Sequence, residues 1–561
     1  MLEALSRRRL LRAALGGLAA LGAVPGVAFA RRAAPPTVSA LAVRGAAKPF
    51  AGDRPLFVTI APGVEGRDLA RVQFSLDRRA RVRLDAVRMG INRSDIRWTR
   101  EATFAPGSHA LAWRPTADTP VGSYVMRVTV EANGGRRVYG GRRPPTPARA
   151  HAPVVRVLGV EAAFTERSYL PTERMALRVQ ADAPSLTLTF LRVGHGPDPS
   201  LRSDEMTGLP MGAPVTIDWT GKRSTRRTIV VQTGEWPSGL YTAKLETDDG
   251  RVGFAPFVLR PTEPSEDRVA VILPTNTWHA YNLYDTDGDG WGDTWYAGGT
   301  PPVVLDRPFR ERGVPPRFFR YDFPFLRWLE KTRRDPDVFA DDDLERFATG
   351  DELRQHYDLV VFPGHSEYMT EHAYNVVERF RDLGGRLIFL SANNFFWKVE
   401  KQGQALRRVA QWRTLGRPEA RLCGVQYRAN DDGTRQGSFY APDISAAPWL
   451  FEGTGLENGD TIGDEVCGFG IEIDTTTPVS PPGTKVLAVI PNLFGPGLHA
   501  EMAYYETDAG ARVFSAGVLD FPAVLLHPSG FRLMDNLWRH MVEKEPPEKP
   551  PVPGANAGAK T

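Results

Sequence analysis

The chain has 561 residues, of which 42% are hydrophobic and 10% aromatic, and its formal net charge is +4 at pH 7. This is an ordinary globular composition, and the length predicts three or four domains. We find no basic stripe interleaved with aromatic residues in the sequence, which argues against nucleic acid as a partner.

The N-terminus has the pattern of an export signal. An arginine run at residues 7–9 precedes an uncharged run at residues 13–30, which closes on the small-x-small cleavage signal Ala-Phe-Ala. Paired arginines ahead of a mild apolar segment are typical of a twin-arginine signal peptide. A basic anchor or a membrane-spanning helix is the alternative, but the run contains Pro25 and is only marginally long enough to span a bilayer. We therefore expect residues 1–30 to be removed, leaving a periplasmic or secreted protein with no membrane segment.

Two regions with period-2 patterning follow, at residues 37–140 and 154–260. Their short alternating segments are divided by Gly, Pro and Asp, which predicts antiparallel β-sandwiches. Each region has a strand that ends at a tryptophan, Trp113 or Trp219, and then a Pro-x-Gly-x-Tyr or Pro-Ser-Gly-Leu-Tyr turn. The regions are loose copies of each other and resemble the immunoglobulin-like modules beside many bacterial extracytoplasmic enzymes. We expect them to support or bind rather than to perform chemistry.

The pattern changes after residue 267. Continuous apolar runs, typical of buried parallel strands, occupy residues 268–273, 357–362 and 386–390. Residues 370–383 have the spacing of an amphipathic helix, and two glycines follow it. The alternation of strands and helices predicts a doubly wound α/β domain at residues 267–542. The Pro-, Lys- and Ala-rich residues 543–561 are predicted to be disordered.

The two cysteines, Cys423 and Cys467, lie in neither a C-x-x-C nor a zinc-ligand spacing. A cysteine-based zinc site is therefore disfavoured. In an oxidising compartment the two could form a disulfide, and two buried free thiols are an equal alternative.

Three polar and aromatic clusters follow the three predicted strands of the α/β domain. They are NTWHAYN at residues 276–282, GHSEY at residues 364–368 and SANN at residues 391–394. In open α/β sheets, ligand groups collect just beyond the carboxyl ends of the strands. We therefore expect one functional site at this edge, with packed residues beneath loops as the alternative.

Several motifs occur in a fixed order through residues 269–540. They are NTWHAYN (276–282), DRP (306–308), YDFPFLRWLE (321–330), DPDVFADDDL (335–344), YDLVVFPGHSEYM (357–369), GGRLIFLSANNFFW (384–397) and AYYETDAGARVFSAG (503–517). This order resembles the catalytic domain of the large subunit of N,N-dimethylformamidase over about half the chain. The pattern G-G-x-L-x-F-L also occurs in glutamine-amidotransferase-like sheets, which is the fold class predicted for this domain.

The resemblance implies a mononuclear iron held by two tyrosine phenolates and one glutamate. By their positions in the motifs these residues are Tyr281, Tyr321 and Glu367. Hard oxygen donors suit ferric iron, and a trivalent cation can displace the proton of a phenol whose usual pKa is about 10. Such an ion can polarise an amide carbonyl and supply hydroxide. The alternative is aromatic packing for the tyrosines and a helix N-terminal charge for Glu367.

Three further residues are expected to serve catalysis. His365 lies two residues from Glu367, so the two side chains project to the same side of an extended segment. We predict that His365 orients the attacking water or carries its proton. Asn393 is predicted to hydrogen-bond the substrate carbonyl or the bound water. The acid/base carboxylate is predicted to be Glu465, with Glu506 as the alternative.

Residues 284–296 read as an insertion in the first motif. The aspartates follow the D-x-D-x-D-G spacing of a calcium loop and continue to its ninth position: Asp285, Asp287, Asp289 and Asp293. Position twelve is Tyr296, so the usual bidentate glutamate is missing. The spacing predicts Ca²⁺ binding, and a solvated acidic loop near the site is the alternative.

The sequence as a whole predicts an exported, iron-dependent hydrolase of C–N amide bonds that acts on a small-molecule amide. The resembling enzyme is a cytoplasmic two-subunit complex, whereas this chain has an export signal and two β-modules. A homo-oligomer is compatible with the sequence, which does not reveal a small subunit. A non-catalytic extracytoplasmic protein that binds carbohydrate or peptide is the second hypothesis. A glycosidase is the third, and it would need two carboxylates across a cleft.

Overall fold

The structure is a computed structural model that describes residues 34–45, 49–90, 94–140, 152–196, 204–296 and 301–543. The predicted signal peptide at residues 1–30 lies outside the described residues, as does the predicted tail from residue 544 onward. The described chain forms many sheets and few helices, arranged in three successive regions. The prediction of a multidomain protein is confirmed, and the architecture of the described chain is strongly β-rich.

The first region is built from strands that bury alternate residues. In the strand Ala70–Leu76, for example, Val72 and Phe74 are buried while their neighbours face outward. The strands are β1 Val38–Arg44, β2 Phe57–Ile60, β3 Ala70–Leu76, β4 Ala80–Met89, β5 Ser94–Phe104, β6 Gly107–Trp113, β7 Gly122–Ala132, β8 Gly135–Tyr139 and β9 Val154–Val157. They form a three-stranded sheet, β1-β3-β6, and a six-stranded sheet, β2-β9-β7-β4-β5 with β8 on β7. The sequence placed β9 at the start of the second region, but β9 pairs with β2 and β7.

The second region has the same two-sheet plan. Its strands are β10 Val160–Phe164, β11 Ser168–Tyr169, β12 Arg174–Ala181, β13 Ser185–Val193, β14 Gly208–Asp218, β15 Arg227–Gln232, β16 Gly239–Thr247 and β17 Val252–Leu259. Sheets β10-β12-β15 and β11-β17-β16-β13-β14 enclose an apolar core.

Both regions contain a tyrosine with the same corner hydrogen bond. The Tyr124 hydroxyl donates to the carbonyl of Pro120 at 2.6 Å, and the Tyr241 hydroxyl donates to the carbonyl of Pro237 at 2.8 Å. A fully buried tryptophan follows or ends a strand in each region. The repeat noted in the sequence therefore corresponds to a shared local structure.

The third region contains the remaining strands and the α-helices. The strands are β18 Val269–Leu273, β19 Val303–Val304, β20 Asp337–Ala340, β21 Leu359–Phe362, β22 Tyr368–Met369, β23 Arg386–Phe389, β24 Trp397–Gln402, β25 Ala405–Gln411, β26 Gln426–Asn430, β27 Gln436–Gly437, β28 Phe439–Tyr440, β29 Thr461–Ile462, β30 Phe469–Gly470, β31 Glu472–Thr475, β32 Lys485–Ile490, β33 Ala500–Glu506 and β34 Arg512–Ser515. The helices are α1 Thr275–Ala280, α2 Phe318–Tyr321, α3 Phe323–Lys331, α4 Gly350–His356, α5 Glu371–Asp382, α6 Ala420–Cys423, α7 Pro448–Phe451 and α8 Pro528–Val542. Short 3₁₀ helices occupy Thr220–Lys222, Asp341–Arg346, Trp412–Leu415, Ile444–Ala446, Asp464–Val466 and Phe521–Leu526.

A nine-stranded sheet, β20-β18-β21-β23-β34-β33-β32-β28-β29, forms the centre of this region. Its first five strands are parallel and the others antiparallel. Val271 of β18 packs in the core that contains α3 and α8, while Ile272 packs in the core that contains α5. Both faces of the strand are therefore covered, which explains its continuous apolar run. The predicted strands at 268–273, 357–362 and 386–390 and the helix at 370–383 are present as β18, β21, β23 and α5.

Both cysteines are free thiols, with Cys423 buried and Cys467 exposed. The predicted alternatives of a disulfide and of two buried thiols are thus both wrong. Among the residues that the structure describes, no helix is long and apolar enough to cross a membrane.

Candidate functional site

The three predicted clusters meet at one edge of the nine-stranded sheet. β18, β21 and β23 are parallel neighbours, so their carboxyl ends lie side by side. The backbone N–H of Glu367 donates to Thr277 Oγ1 at 3.2 Å. The backbone N–H of Ser366 donates to Asn394 Oδ1 at 3.3 Å. Hydrogen bonds therefore connect the first cluster to the second and the second to the third.

Tyr281 immediately follows α1, and its phenol reaches Glu367. The Tyr281 hydroxyl donates a short hydrogen bond to Glu367 Oε2 and accepts one from the Tyr368 hydroxyl at 3.1 Å. Burial, and then the charge of Glu367, raise the pKa of Tyr281 well above its usual value. Burial also raises the pKa of Glu367, against the opposing effect of the hydrogen bonds from Tyr281 and Tyr368. In this environment the Tyr281 phenol keeps its proton unless a cation replaces it.

A second carboxylate, that of the partly buried Glu472, lies beside the first. His365 Nε2 is 3.5 Å from Glu367 Oε2 and 3.3 Å from Glu472 Oε2. Asn393 Nδ2 donates to Glu472 Oε2 at 2.9 Å. Burial, and then the charge of Glu367, raise the pKa of Glu472. Glu472 therefore contacts both His365 and Asn393, the two polar residues predicted to act with the metal.

The predicted acid/base carboxylate, Glu465, does not contact this cluster. It lies in the 3₁₀ helix Asp464–Val466, where its carboxylate accepts hydrogen bonds from Ser529 Oγ and from the Gly463 N–H. Of these two glutamates, it is Glu472 that the structure holds against His365 and Asn393, and the identity of the acid/base carboxylate stays a prediction.

The alternative, Glu506, is also engaged elsewhere. It accepts a hydrogen bond of 2.5 Å from the Tyr504 hydroxyl. Glu472 opens the short strand β31, 79 residues after Asn393, and follows no motif that the sequence reading had singled out. The signal that could have revealed it is the pair of alternating acids Glu472 and Asp474, which project to the same side of a strand.

His365 is neutral in this pocket. Burial lowers its pKa to about 3. Its Nε2 faces Glu367 and Glu472, with no aligned hydrogen bond to any group that the structure describes. The ring stacks on Tyr281 with 5.8 Å between ring centroids. A neutral imidazole between two carboxylates can pass a proton from one partner to another.

Asn393 is fixed by its backbone. It adopts a left-handed conformation, with φ of 54°, which asparagine tolerates better than most residues. Its N–H lies 2.9 and 3.0 Å from the two carboxylate oxygens of Asp474. Its Oδ1 is buried and has no hydrogen-bond partner among the described residues. This oxygen can therefore accept a hydrogen bond from a water or a substrate N–H.

Tyr321 ends α2 and is buried. Burial raises its pKa well above the usual value. The charge of Arg317 opposes this rise, and Asp520, Tyr296 and Glu472 add to it. Tyr321 is therefore within electrostatic range of the pocket that holds Glu472. Tyr296, which sequence reasoning treated only as a loop position, stacks on Tyr281 at 4.2 Å between centroids. Burial raises the pKa of Tyr296 to about 12.

The donor set fits a hard cation. Tyr281, Tyr321 and Glu367 carry oxygen donors of the type that suits iron in its higher oxidation state. The structure brings Tyr281 and Glu367 into contact, and Tyr321 lies within electrostatic range of Glu472. His365 lies within ion-pair distance of both Glu367 and Glu472, and the charge of Arg408 lowers the pKa of Glu367 by less than burial raises it. Taking carboxylates out of water carries a desolvation cost, which a bound cation offsets.

The predicted calcium loop has three of its four aspartates together. Single carboxylate oxygens of Asp285, Asp287 and Asp289 lie within 4.8 Å of one another. The fourth, Asp293, instead accepts from the Thr286 N–H at 2.8 Å and lies near a buried arginine. Calcium binding therefore stays a prediction, with Asp293 outside the group.

A family model described as N,N-dimethylformamidase beta subunit-like, C-terminal, matches residues 215–531, which is more than half of the chain. Two curated relatives are the N,N-dimethylformamidase beta subunits of Alcaligenes sp and Paracoccus aminophilus. Each is 26% identical, over 164 and 163 residues respectively, or 29% of this chain and 21% of the relative. The chain thus matches about a fifth of the length of these relatives.

Solved structures show only weak likenesses. The mmIFT52 N-terminal domain is 10% identical, with a TM-score of 0.23, over 38% of this chain and 89% of that chain. Native alpha-2-macroglobulin from Escherichia coli, spanning domains MG0-NIE-MG1, is 12% identical, with a TM-score of 0.14, over 41% of this chain and 73% of that chain.

Proposed function

The chain belongs to the N,N-dimethylformamidase beta subunit-like family, and we propose that it is a metal-dependent hydrolase of C–N amide bonds, with iron as its metal. The observation that carries this proposal is the pair of neighbouring carboxylates, Glu367 and Glu472, which face Tyr281, His365 and Asn393 and whose pKa values burial raises. Such a pocket is costly for the folded protein and is typical of a site that receives a cation.

The proposed division of labour follows the contacts. Iron held by Tyr281, Tyr321 and Glu367 would supply Lewis acidity at the amide carbonyl. Glu472, with its raised pKa, accepts a proton from the attacking water, directly or through neutral His365. Asn393 Oδ1 orients that water. A C–O bond forms, the C–N bond breaks, and Glu472 returns the proton to the leaving amine, so that the products are a carboxylic acid and an amine.

The finer architecture and the cellular setting belong to the same proposal. The five parallel strands, covered on both faces, support a glutamine-amidotransferase-like sheet, and the paired sheets with tyrosine corners support immunoglobulin-like modules. The arginine run at residues 7–9 supports twin-arginine export to the periplasm or beyond. We propose a small-molecule amide as the substrate. The relatives are named as beta subunits, which makes a smaller partner subunit or a homo-oligomer a reasonable assembly.

The direct test is metal content together with optical absorption of the purified full chain. We expect about one iron per chain and a visible phenolate-to-iron absorption band. Tyr281→Phe, Tyr321→Phe and Glu367→Gln should each lose iron and the band, while Glu465→Gln, which alters a carboxylate outside the cluster, should keep both. Absence of iron from native and reconstituted protein would overturn the proposal. Ligand binding by the metal-free protein with no hydrolysis of any amide would favour a binding protein instead.

A further inference from the structure

The segment that follows Tyr281 forms one wall of the candidate site. We call residues 282–296 the excursion. It leaves the site after Tyr281 and returns with Trp295, whose N–H donates to the carbonyl of Ala280 at 2.8 Å. The Trp295 ring packs against Tyr368 at 4.7 Å, and Tyr296 stacks on Tyr281 at 4.2 Å. The returning end of the excursion therefore contacts both the phenol that reaches Glu367 and the hydrogen-bond partner of that phenol, Tyr368.

The second β-region holds the excursion through Tyr284. The Tyr284 hydroxyl donates to Glu161 Oε2 at 2.6 Å and accepts from Arg226 Nη2 at 3.0 Å. Tyr284 and Glu161 are both buried. This is a charge-assisted pair inside an interface, where such bonds are strong and fix geometry.

The first β-region holds the next residues. Arg156 of β9 donates from Nη2 to the carbonyl of Asp285 at 2.6 Å, and its guanidinium lies over the Tyr284 ring at 5.3 Å. Arg54 donates from Nη2 to the carbonyl of Asp287 at 2.6 Å. Gly288 follows with a φ of 75°, and a Cβ atom there would collide with the Phe57 ring. The tip of the excursion therefore packs closely against the first region.

A buried arginine of the third region, Arg307, connects the excursion to helix α1. Arg307 donates to the carbonyls of Tyr284 at 3.1 Å, His279 at 2.8 Å and Asp293 at 2.7 Å. The guanidinium connects the part of the excursion that the β-regions hold to helix α1, which Tyr281 follows. A rigid hydrogen-bonded path therefore runs from Glu161 to the wall of the site.

We propose that the two β-regions are positioning elements of the site, which place Tyr296 against Tyr281 by holding the excursion at Tyr284, Asp285 and Asp287. Glu161 and Arg156 are positioning residues, and Tyr296 determines which substituents of an amide fit beside Tyr281. This inference rests on the proposed function for its catalytic consequence, but the placement of the excursion is independent of it.

Hydrogen exchange of the metal-free full chain tests the placement. Tyr284→Phe removes the hydroxyl that bridges Glu161 and Arg226, and we expect about tenfold faster exchange across residues 285–296. Ser168→Ala is the matched control, because Ser168 Oγ makes a buried hydrogen bond of 2.6 Å to Asp343 in the same interface without touching the excursion. It should leave exchange of residues 285–296 unchanged. Unchanged exchange in Tyr284→Phe, or equal acceleration in Ser168→Ala, would overturn the inference.

A double-mutant cycle on the iron-loaded protein tests the consequence, with N,N-dimethylformamide and bulkier N,N-dialkylformamides as substrates. Tyr284→Phe should raise KM about fivefold with a smaller change in kcat, the size of coupling expected between residues in one network. In a Tyr296→Ala background the same substitution should change KM less than twofold. Additive effects would overturn the role of Tyr296. If native protein hydrolyses no amide, the proposed function fails, and the exchange experiment still decides the placement.

Discussion

The β-regions and the candidate site bury carboxylates in opposite ways. In the first β-region, Asp85 is 1% exposed and accepts hydrogen bonds from Arg83 at 2.8 Å and Arg127 at 2.9 Å. In the second, the carboxylate of Asp182 accepts from Arg223 at 2.8 Å. Burial alone would raise the pKa of Asp85, but its hydrogen bonds keep that pKa below the usual value. The negative charge of each of these carboxylates is neutralised by guanidinium groups in direct contact with it.

At the site, Glu367 and Glu472 contact a phenol, an amide and a neutral imidazole instead. Burial raises both pKa values, and the hydrogen bonds to these carboxylates oppose that rise without cancelling it. The comparison teaches that these two buried acids of the β-regions are paired with arginines, whereas Glu367 and Glu472 make their hydrogen bonds with neutral groups. We attribute the desolvation cost that remains at the site to the proposed function, in line with the usual conflict between stability and activity.

The largest expected effect is the loss of activity when the carboxylate of Glu472 is removed. Glu472→Gln keeps the shape of the side chain but removes the proton acceptor, so kcat should fall by about a hundredfold or more, the range for loss of a general base. Iron content and the absorption band should remain. Glu465→Gln is the control and should retain native kcat. Equal losses of kcat in the two variants would contradict the proposed role of Glu472.

Removing the carboxylate of a buried ion pair in a β-region should lower stability rather than activity. Asp85→Asn leaves Arg83 and Arg127 without their buried counter-charge, which costs about 3 kcal/mol of unfolding free energy by analogy with other buried pairs. Asp95→Asn, in an exposed pair with Arg97, should cost less than about 1 kcal/mol. Denaturant unfolding of both variants measures the difference. Similar losses of unfolding free energy in the two variants would contradict the expected effect of burying Asp85.

A third prediction uses the pH dependence of a buried acid beneath the site. Burial raises the pKa of Asp322 to about 8, and its single hydrogen bond comes from Trp278 at 3.2 Å. In the unfolded chain the pKa is about 3.9. Because the folded value is higher, the stability contributed by the protonated form is complete below about pH 4 and is lost as the pH rises to about 8. The Tm of metal-free protein should fall between pH 5 and pH 8, and Asp322→Asn should reduce that fall. An equal or steeper fall in the variant would contradict this.

The smallest expected effect is a gain in stability. Glu472→Gln removes one of two neighbouring buried charges, so the metal-free variant should unfold at a Tm about 2–4 °C higher, the shift that roughly 1 kcal/mol gives in a domain of this size. Calorimetry of both proteins after iron removal provides the measurement. A lower Tm in the variant would show that Glu472 is stabilised by its partners and that the contrast with Asp85 is false.

The parts of the fold and site that the sequence predicts are those set by local patterns. Strand β18 and helix α5 follow from apolar periodicity, and the clusters that carry Tyr281 and Glu367 follow from their positions after strands. Glu472 could not be found in this way, because it reaches the site from a short strand far along the chain. The pairing of β9 with the first region was missed because pairing partners depend on tertiary contacts rather than on strand pattern.

The role of Tyr296 was missed for a different reason. Its sequence context suggested a calcium loop, and the residue was read only as a departure from that pattern. It stacks on Tyr281 at the end of a segment that Glu161 and Arg156 contact, and these two residues lie more than a hundred residues earlier in the chain. A long-range contact of this kind leaves no periodic or local signature.

The anchoring of Asn393 by Asp474 has a consequence for the order of synthesis. A ribosome makes residues 276–394, with Tyr281, Tyr321 and Glu367 among them, before it makes Asp474. Until Asp474 arrives, the left-handed turn at Asn393 lacks the acceptor for its N–H. A growing chain therefore carries the three proposed iron ligands for some time before it can hold its asparagine in place, and the pocket matures late in translation.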